Sequence, residues 1–179
     1  MKKIILLVLI AFAFYYKASC QINKGNWLVG GNANFSTQDQ KVINSDYTSW
    51  YFNINPDIGY FISDKFATGI RGKLSYSYTK DPVKNQSTIL GFGPFLRYYF
   101  LPTDNDINFL ADAGYEYSTD FTKKNQNDFI FSTGPVIFFN PSVALELTLN
   151  YLIRNGDIIN AKTFSFAVGF QIHLKKEKL

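Results

Sequence analysis

From Trp27 to Leu174 the chain alternates, residue by residue, between apolar and small or polar side chains. The segment from Val143 to Ile153 shows it plainly. Val143, Leu145, Leu147, Leu149, Tyr151 and Ile153 fall on odd positions, and Glu146, Thr148 and Asn150 fall between them. A period of two places the two sets on opposite faces of a strand. The pattern predicts strands over approximately 26–35, 49–62, 66–78, 88–101, 107–118, 128–139, 143–153 and 163–174. Connections at Ser63-Asp64-Lys65, Pro102 to Asp106 and Asn140-Pro141-Ser142 are short and rich in turn formers. Those at 36–48, 79–87, 119–127 and 154–162 are longer and polar. Such sorting of loop length by end suits a chain that runs up and down, strand beside strand.

What the apolar faces meet is decided by the rest of the chain. Lys2 and Lys3 open a stretch in which Ile4 to Phe14 are apolar and Ala18-Ser19-Cys20 are small. This is the pattern of a secretory signal covering residues 1–20, with 21–179 as the mature domain. The apolar run is too short for a spanning helix, which needs roughly 20 residues. Removal of residues 1–20 would take away Lys2, Lys3 and Lys17 and no acid, lowering the net charge from +4 to +1. The basic balance therefore gives no support to a nucleic-acid partner. Cys20 is the single cysteine, so no internal disulfide can form. Either it leaves with the signal or, as the first mature residue, it carries a lipid. Lys17 stands where a lipoprotein signal wants an aliphatic residue, which favours removal.

Strands with one apolar face, behind an export signal, fit a barrel turned inside out: apolar side chains toward lipid, polar ones toward the lumen. The content of 18 Phe and 12 Tyr fits as well, because aromatic rings suit the two interfaces of a bilayer. The expected fold is all-β, an eight-stranded antiparallel up-and-down transmembrane β-barrel. The outward set includes Trp27, Phe35, Phe52, Ile58, Ile70, Leu74, Leu90, Phe92, Leu96, Phe131, Phe166 and Ile172. The inward polar network is expected from Asp57, Arg71, Lys73, Arg97, Asp112, Glu116, Glu146 and Gln171, with Asn53, Asn55 and His173. Eight strands leave an interior that side chains can fill. Inward acids and bases would then pair with one another, giving a filled, charged core without an open channel. Pro56, Pro94 and Pro135 each remove a ladder donor within a strand, so bulges are expected there.

Gly91-Phe92-Gly93-Pro94-Phe95-Leu96-Arg97-Tyr98-Tyr99-Phe100 and Asn140-Pro141-Ser142-Val143-Ala144-Leu145-Glu146 resemble runs of the small outer-membrane β-barrel proteins of Gram-negative bacteria (the OmpX- and OmpA-like eight-stranded barrels). The last strand, Ala167 to Leu174, is similar to the C-terminal signal read by barrel-assembly machinery, with Gly169, Ile172 and Leu174 at matching positions. Leu174 replaces the usual terminal aromatic, and Lys175 to Leu179 extend past it. The resemblance implies an outer-membrane location, contact with outer-membrane lipids and lipopolysaccharide, and a porin-like fold. It implies almost nothing about activity.

No catalytic, cofactor or metal constellation is visible in the sequence. His173 is the single histidine, and it falls at the periplasmic end of the last strand. A lipid A deacylase or acyltransferase, the enzymatic alternative, wants its serine or histidine at the external rim. A soluble, lipocalin-like secreted barrel is the second alternative, and it needs the apolar faces inward around a ligand. The preferred reading is a non-enzymatic barrel whose four external loops serve membrane integrity, adhesion or the binding of a surface partner. Those loops include Ser36 to Thr48, with Gln38, Asp39, Gln40, Lys41, Asn44 and Asp46, and the Lys123-Lys124-Asn125-Gln126-Asn127 stretch.

Overall fold

In the computed structural model the described residues are 22–42, 45–80, 85–120, 125–157 and 160–175. They form eight strands: β1 (Trp27–Val42), β2 (Ser45–Ser63), β3 (Phe66–Lys80), β4 (Asn85–Tyr99), β5 (Ile107–Asp120), β6 (Asn125–Asn140), β7 (Val143–Gly156) and β8 (Ala161–Leu174). Each pairs antiparallel with the next, and β8 pairs back onto β1, so the sheet closes into a barrel. Closure pairs the first and last strands, whose edges an open sheet would leave exposed along their whole length. From Leu28 the register runs to Gly59, Gly69, Phe95, Gly114, Ile130, Leu152 and Thr163. Extended across the β8–β1 junction, the same register meets β1 near Gln38, well above its start. This stagger means the strands are tilted to the barrel axis.

The alternation sets the faces as the pattern implies. Phe92 is 66% exposed, Phe164 78% and Ile70 59%, all on the outer wall. Arg71, Arg97, Asp112 and Glu146, on the intervening positions, are buried. Aromatic pairs ring the outer wall at both ends. Trp27 and Tyr60 at the short-turn end have ring centroids 5.2 Å apart. Tyr115 and Phe129 (5.3 Å), and Tyr151 and Phe164 (4.7 Å), do the same toward the opposite end. A bilayer imposes such girdles. The apolar-inward swap required of a soluble carrier is thereby overturned.

Three expectations are corrected. First, the strands run further than the hydrophobic pattern does. Most of the stretch read as an external loop, Ser36 to Thr48, is strand, with Gln38 opposite Ser49, Asp39 opposite Thr48 and Lys41 opposite Asp46. Asn125, Gln126 and Asn127 likewise open β6. Asn44, Lys123 and Lys124 lie outside the described residues. Outside a bilayer neither face of a hairpin needs to be apolar, so alternation fades while pairing continues. The bonds there are polar: Tyr117 Oη donates to Asn125 Oδ1 at 2.8 Å, and Ser49 and Thr79 hydroxyls meet at 2.9 Å.

Second, no bulge occurs at Pro56, Pro94 or Pro135, where the register is the same on both sides. Each proline sits on the outer wall, and the chain loses a ladder bond there without adding a residue. The register shifts lie instead between Phe61 and Ser63 and between Phe138 and Asn140, beside two of the short turns.

Third, the interior is neither uniformly polar nor filled throughout. Leu28, Phe61, Phe95, Tyr99, Leu110, Val136 and Phe138 also point inward, at the short-turn half, and are buried. Ile22, ahead of β1, is buried among them. It is held by a bond from the Lys65 amide to its carbonyl at 2.8 Å. The Gly25 amide anchors the same segment to the Phe61 carbonyl at 2.9 Å.

Candidate functional site: the barrel interior

Above the apolar plug lies a belt of charge. Asp112 on β5 is its hub. Arg71 on β3 donates to it twice, Nη1 to Oδ1 at 3.0 Å and Nη2 to Oδ2 at 2.9 Å. Arg97 on β4 donates through Nε to Asp112 Oδ2 at 3.0 Å and through Nη1 to Glu146 Oε1 at 3.0 Å. Both arginines also approach Asp57 Oδ2 at 3.4 Å. Gln171 Nε2 bridges Asp57 and Glu146, donating to each at 3.3 Å. The Phe95 ring lies beneath the guanidinium groups, 4.9 Å from that of Arg71 and 5.4 Å from that of Arg97. The forked guanidinium suits such bidentate pairing, and pairing is what makes burial of these charges tolerable. Six of the expected network residues are thus brought together: Asp57, Arg71, Arg97, Asp112, Glu146 and Gln171.

Lys73 and Glu116 belong to a second cluster, nearer the opposite rim. Lys73 Nζ pairs with Asp128 and lies 3.8 Å from Glu116 Oε2. Arg154 holds Asp128 with two bonds, Nε to Oδ1 at 2.9 Å and Nη2 to Oδ2 at 2.8 Å. The sequence reading missed both: it began β6 at Asp128 without giving that residue a face, and it ended β7 at Ile153, one residue short of Arg154. Their inward phase, set by Ser132 and Asn150 further along each strand, is the signal that finds them.

Over the charged belt opens a cavity of about 670 Å³. Neutral amides and hydroxyls supply much of its wall, among them Asn32, Asn34, Asn53, Asn55, Ser75 and Asn150. Asn53 Nδ2 donates to Asn34 Oδ1 at 2.7 Å, and Asn55 Nδ2 to Asn32 Oδ1 at 2.8 Å, tying β1 to β2 across the wall.

His173 lies at the other end, fully buried. Its ring centroid is 5.8 Å from that of Phe61, 6.2 Å from Tyr99 and 5.4 Å from Phe138. Among the described residues neither ring nitrogen has a hydrogen-bond partner. Among the described residues no serine and carboxylate are arranged on it, as nucleophilic catalysis would require. Gly169 faces Asn32 of β1 and Glu146 of β7. Ile172 and Leu174 point outward, 44% and 48% exposed, with Leu174 opposite Trp27.

A closed antiparallel barrel with a lipid-facing apolar wall and a charged lumen defines a transmembrane β-barrel protein. The chain belongs to the family described as outer membrane protein beta-barrel domain, whose model matches residues 4–171, and its place is the bacterial outer membrane. Among solved structures it is similar to the outer membrane protein OprG from Pseudomonas aeruginosa. That likeness has a TM-score of 0.58 at 14% identity over 88% of this chain and 100% of that one. A structure titled de novo design of transmembrane beta-barrels aligns at a TM-score of 0.44 and 14% identity, covering 85% of this chain and 98% of that one. A search of curated proteins finds no match.

Proposed function

We propose that the protein is a non-enzymatic outer-membrane barrel, sealed against passage from end to end, that presents four strand hairpins at the cell surface. Those hairpins serve membrane integrity, adhesion or the binding of a surface partner. One observation carries the reading. The lumen holds two ion-paired clusters and, beneath them, the buried Phe61, Tyr99, Phe138 and His173. Charges tied to each other are poor transit sites, and an apolar floor offers an ion nothing to replace its water.

Around this reading stand its biogenesis roles. Residues 1–20 act as the export signal, and the mature domain begins at Gln21. Gly169, Ile172 and Leu174 form the signal that barrel-assembly machinery reads. Outer-membrane lipids and lipopolysaccharide surround the wall. The placement of His173 in an aromatic pocket at the short-turn end supports the non-enzymatic reading over a deacylase or acyltransferase.

Reconstitution in a planar bilayer tests the seal. The expected result is no stable conductance from refolded protein at moderate voltage. A steady open-channel current would overturn it. Expression in a Gram-negative host is expected to leave the lipid A mass spectrum unchanged, and loss or gain of an acyl chain would restore the enzymatic alternative.

A further inference from the structure

The barrel is not closed equally along its seams. Around most of the wall, neighbouring strands pair over most of their length. β1 pairs with β2 from Trp27 to Val42, and β7 with β8 from Val143↔Ile172 to Arg154↔Ala161. Between β1 and β8 the ladder runs from Trp27↔Leu174 to Ala33↔Val168 and stops. Asn34 to Thr37 on one edge, and Phe164 to Ala167 on the other, remain in strand conformation without a ladder partner across the gap. The ladder stops just past Gly31, whose φ of 141° only glycine adopts readily. At this seam side chains also yield to backbone: a Cβ on Gly30 would sit 2.2 Å from the Phe170 carbonyl oxygen.

The unpaired edges border the cavity of the lumen. The cavity is lined by Asn34 and Ser36 from β1 and by Thr163 and Ser165 from β8, and also by Phe35 and Phe166. Those two phenylalanines belong to the lipid-facing wall, 65% and 57% exposed. The lining also reaches the outward-facing Tyr76 on β3, so it is the coincidence of Phe35 and Phe166 with the unpaired edges that marks this side. In an antiparallel edge every second residue turns its N–H and C=O toward the missing neighbour. At membrane depth, hydrocarbon cannot satisfy such groups. Something polar that arrives through lipid can.

We propose that this seam binds the uncharged polar head of a single-chain amphiphile from the outer leaflet. Its head enters between Asn34–Thr37 and Phe164–Ala167, and its tail stays against Phe35 and Phe166. The lining chooses the head. Arg71, Lys73, Arg97 and Arg154 are each held by carboxylates, so among the described residues the cavity has no spare cation for a phosphate. What it offers near the gap is amide and hydroxyl: Asn32, Asn34, Asn55 and Ser165. A glycoside or glycerol head matches those donors and acceptors. The inference uses the membrane placement of the barrel and is independent of whether the short-turn end is sealed.

The test is photolabelling in lipid vesicles with a monoacyl glycoside carrying a diazirine on its head. Continuing the register, Ser36 faces Ser165 across the gap. A Ser36→Cys/Ser165→Cys pair, with Cys20→Ala, can therefore tie the edges together by oxidation, or by a short bis-maleimide if the gap is too wide. The expected result is labelling of Asn32, Asn34 and Asn55 on the inner wall. That labelling is lost when the edges are tied, while labelling of Phe92 and Phe131 on the outer wall persists. For the disulfide, a reductant restores it. Heat-dependent electrophoretic mobility confirms that the tied barrel is folded. Labels confined to the outer wall, or inner labels that survive the tie, would overturn the proposal. If the cysteine pair does not fold, the unmodified barrel still decides by whether its inner wall is labelled in preference to Ser132 on the far side of the lumen.

Discussion

Asp112 accepts from two arginines, and the consequence is asymmetric. Removing the carboxylate leaves Arg71 and Arg97 buried, with Asp57 Oδ2 at 3.4 Å as the carboxylate they still share. Arg97 keeps Glu146 at 3.0 Å, but Arg71 loses both of its shortest bonds, and breaking a buried pair by removing one partner costs about 3–5 kcal/mol. Asp112→Ala is therefore expected to lower stability by about that much, read from urea unfolding of vesicle-inserted protein. Asp128→Ala is expected to lose less, because the Arg154 side chain is 27% exposed, so water can take over its bonds, and Lys73 keeps Glu116 Oε2 at 3.8 Å. Equal losses for the two would mean that burial does not govern these pairs. At this scale the sequence was most legible where a charge interrupts apolar neighbours. Asp57, Arg71, Arg97 and Asp112 could be placed on the lumen side from phase alone. Which acid meets which base was not legible, because that depends on the stagger between strands up to three apart in sequence order.

Strands pack here by letting backbones approach where side chains are absent. A Cβ on Gly93 would lie 1.8 Å from the Tyr115 carbonyl oxygen, whereas on Gly114 the nearest atom would be 3.5 Å away. Gly93→Ala is expected to abolish refolding and Gly114→Ala to be nearly neutral, both scored by the heat-sensitive mobility shift. Efficient refolding of Gly93→Ala would show that β4 and β5 approach less closely than described. The elements also show where pattern reading fails. Phe61 lies between Tyr60 and Ile62, Tyr99 between Tyr98 and Phe100, and Phe138 between Ile137 and Phe139. Where both neighbours are apolar, alternation carries no phase, and these residues were missed as interior. The phase is recoverable by counting on from Asp57 to Phe61 and from Arg97 to Tyr99. The far strand ends escaped for the opposite reason, since both of their faces are polar.

The whole molecule combines a plugged short-turn end with a hollow opposite end, and this sets its expected failure mode. Tyr99 packs on Phe61 with ring centroids 6.0 Å apart, and its hydroxyl lies 3.4 Å from Glu146. Tyr99→Ala empties the floor beneath the charged belt. It is expected to cost about 3–5 kcal/mol, as large aromatic truncations in packed cores do. In a planar bilayer the same variant is expected to show transient current absent from the parent protein. Strand number and the lipid-facing wall were legible in the sequence, because lipid demands apolarity at every second residue. The short β1–β8 seam was not, because the register between first and last strands leaves no local pattern.

Lipid on one side of the wall and a polar lumen on the other is the claim on which all else depends. It is tested most directly by a nitroxide scan along β6 from Phe129 to Val136, in lipid vesicles, comparing quenching by oxygen with quenching by a polar nickel chelate. A period of two is expected, with Gly134 passed over because a Cβ there would sit 1.9 Å from the Leu147 carbonyl oxygen: oxygen access is highest at Phe129, Phe131 and Thr133 and lowest at Ile130, Ser132 and Val136. An inverted phase, or access without a period, would contradict it.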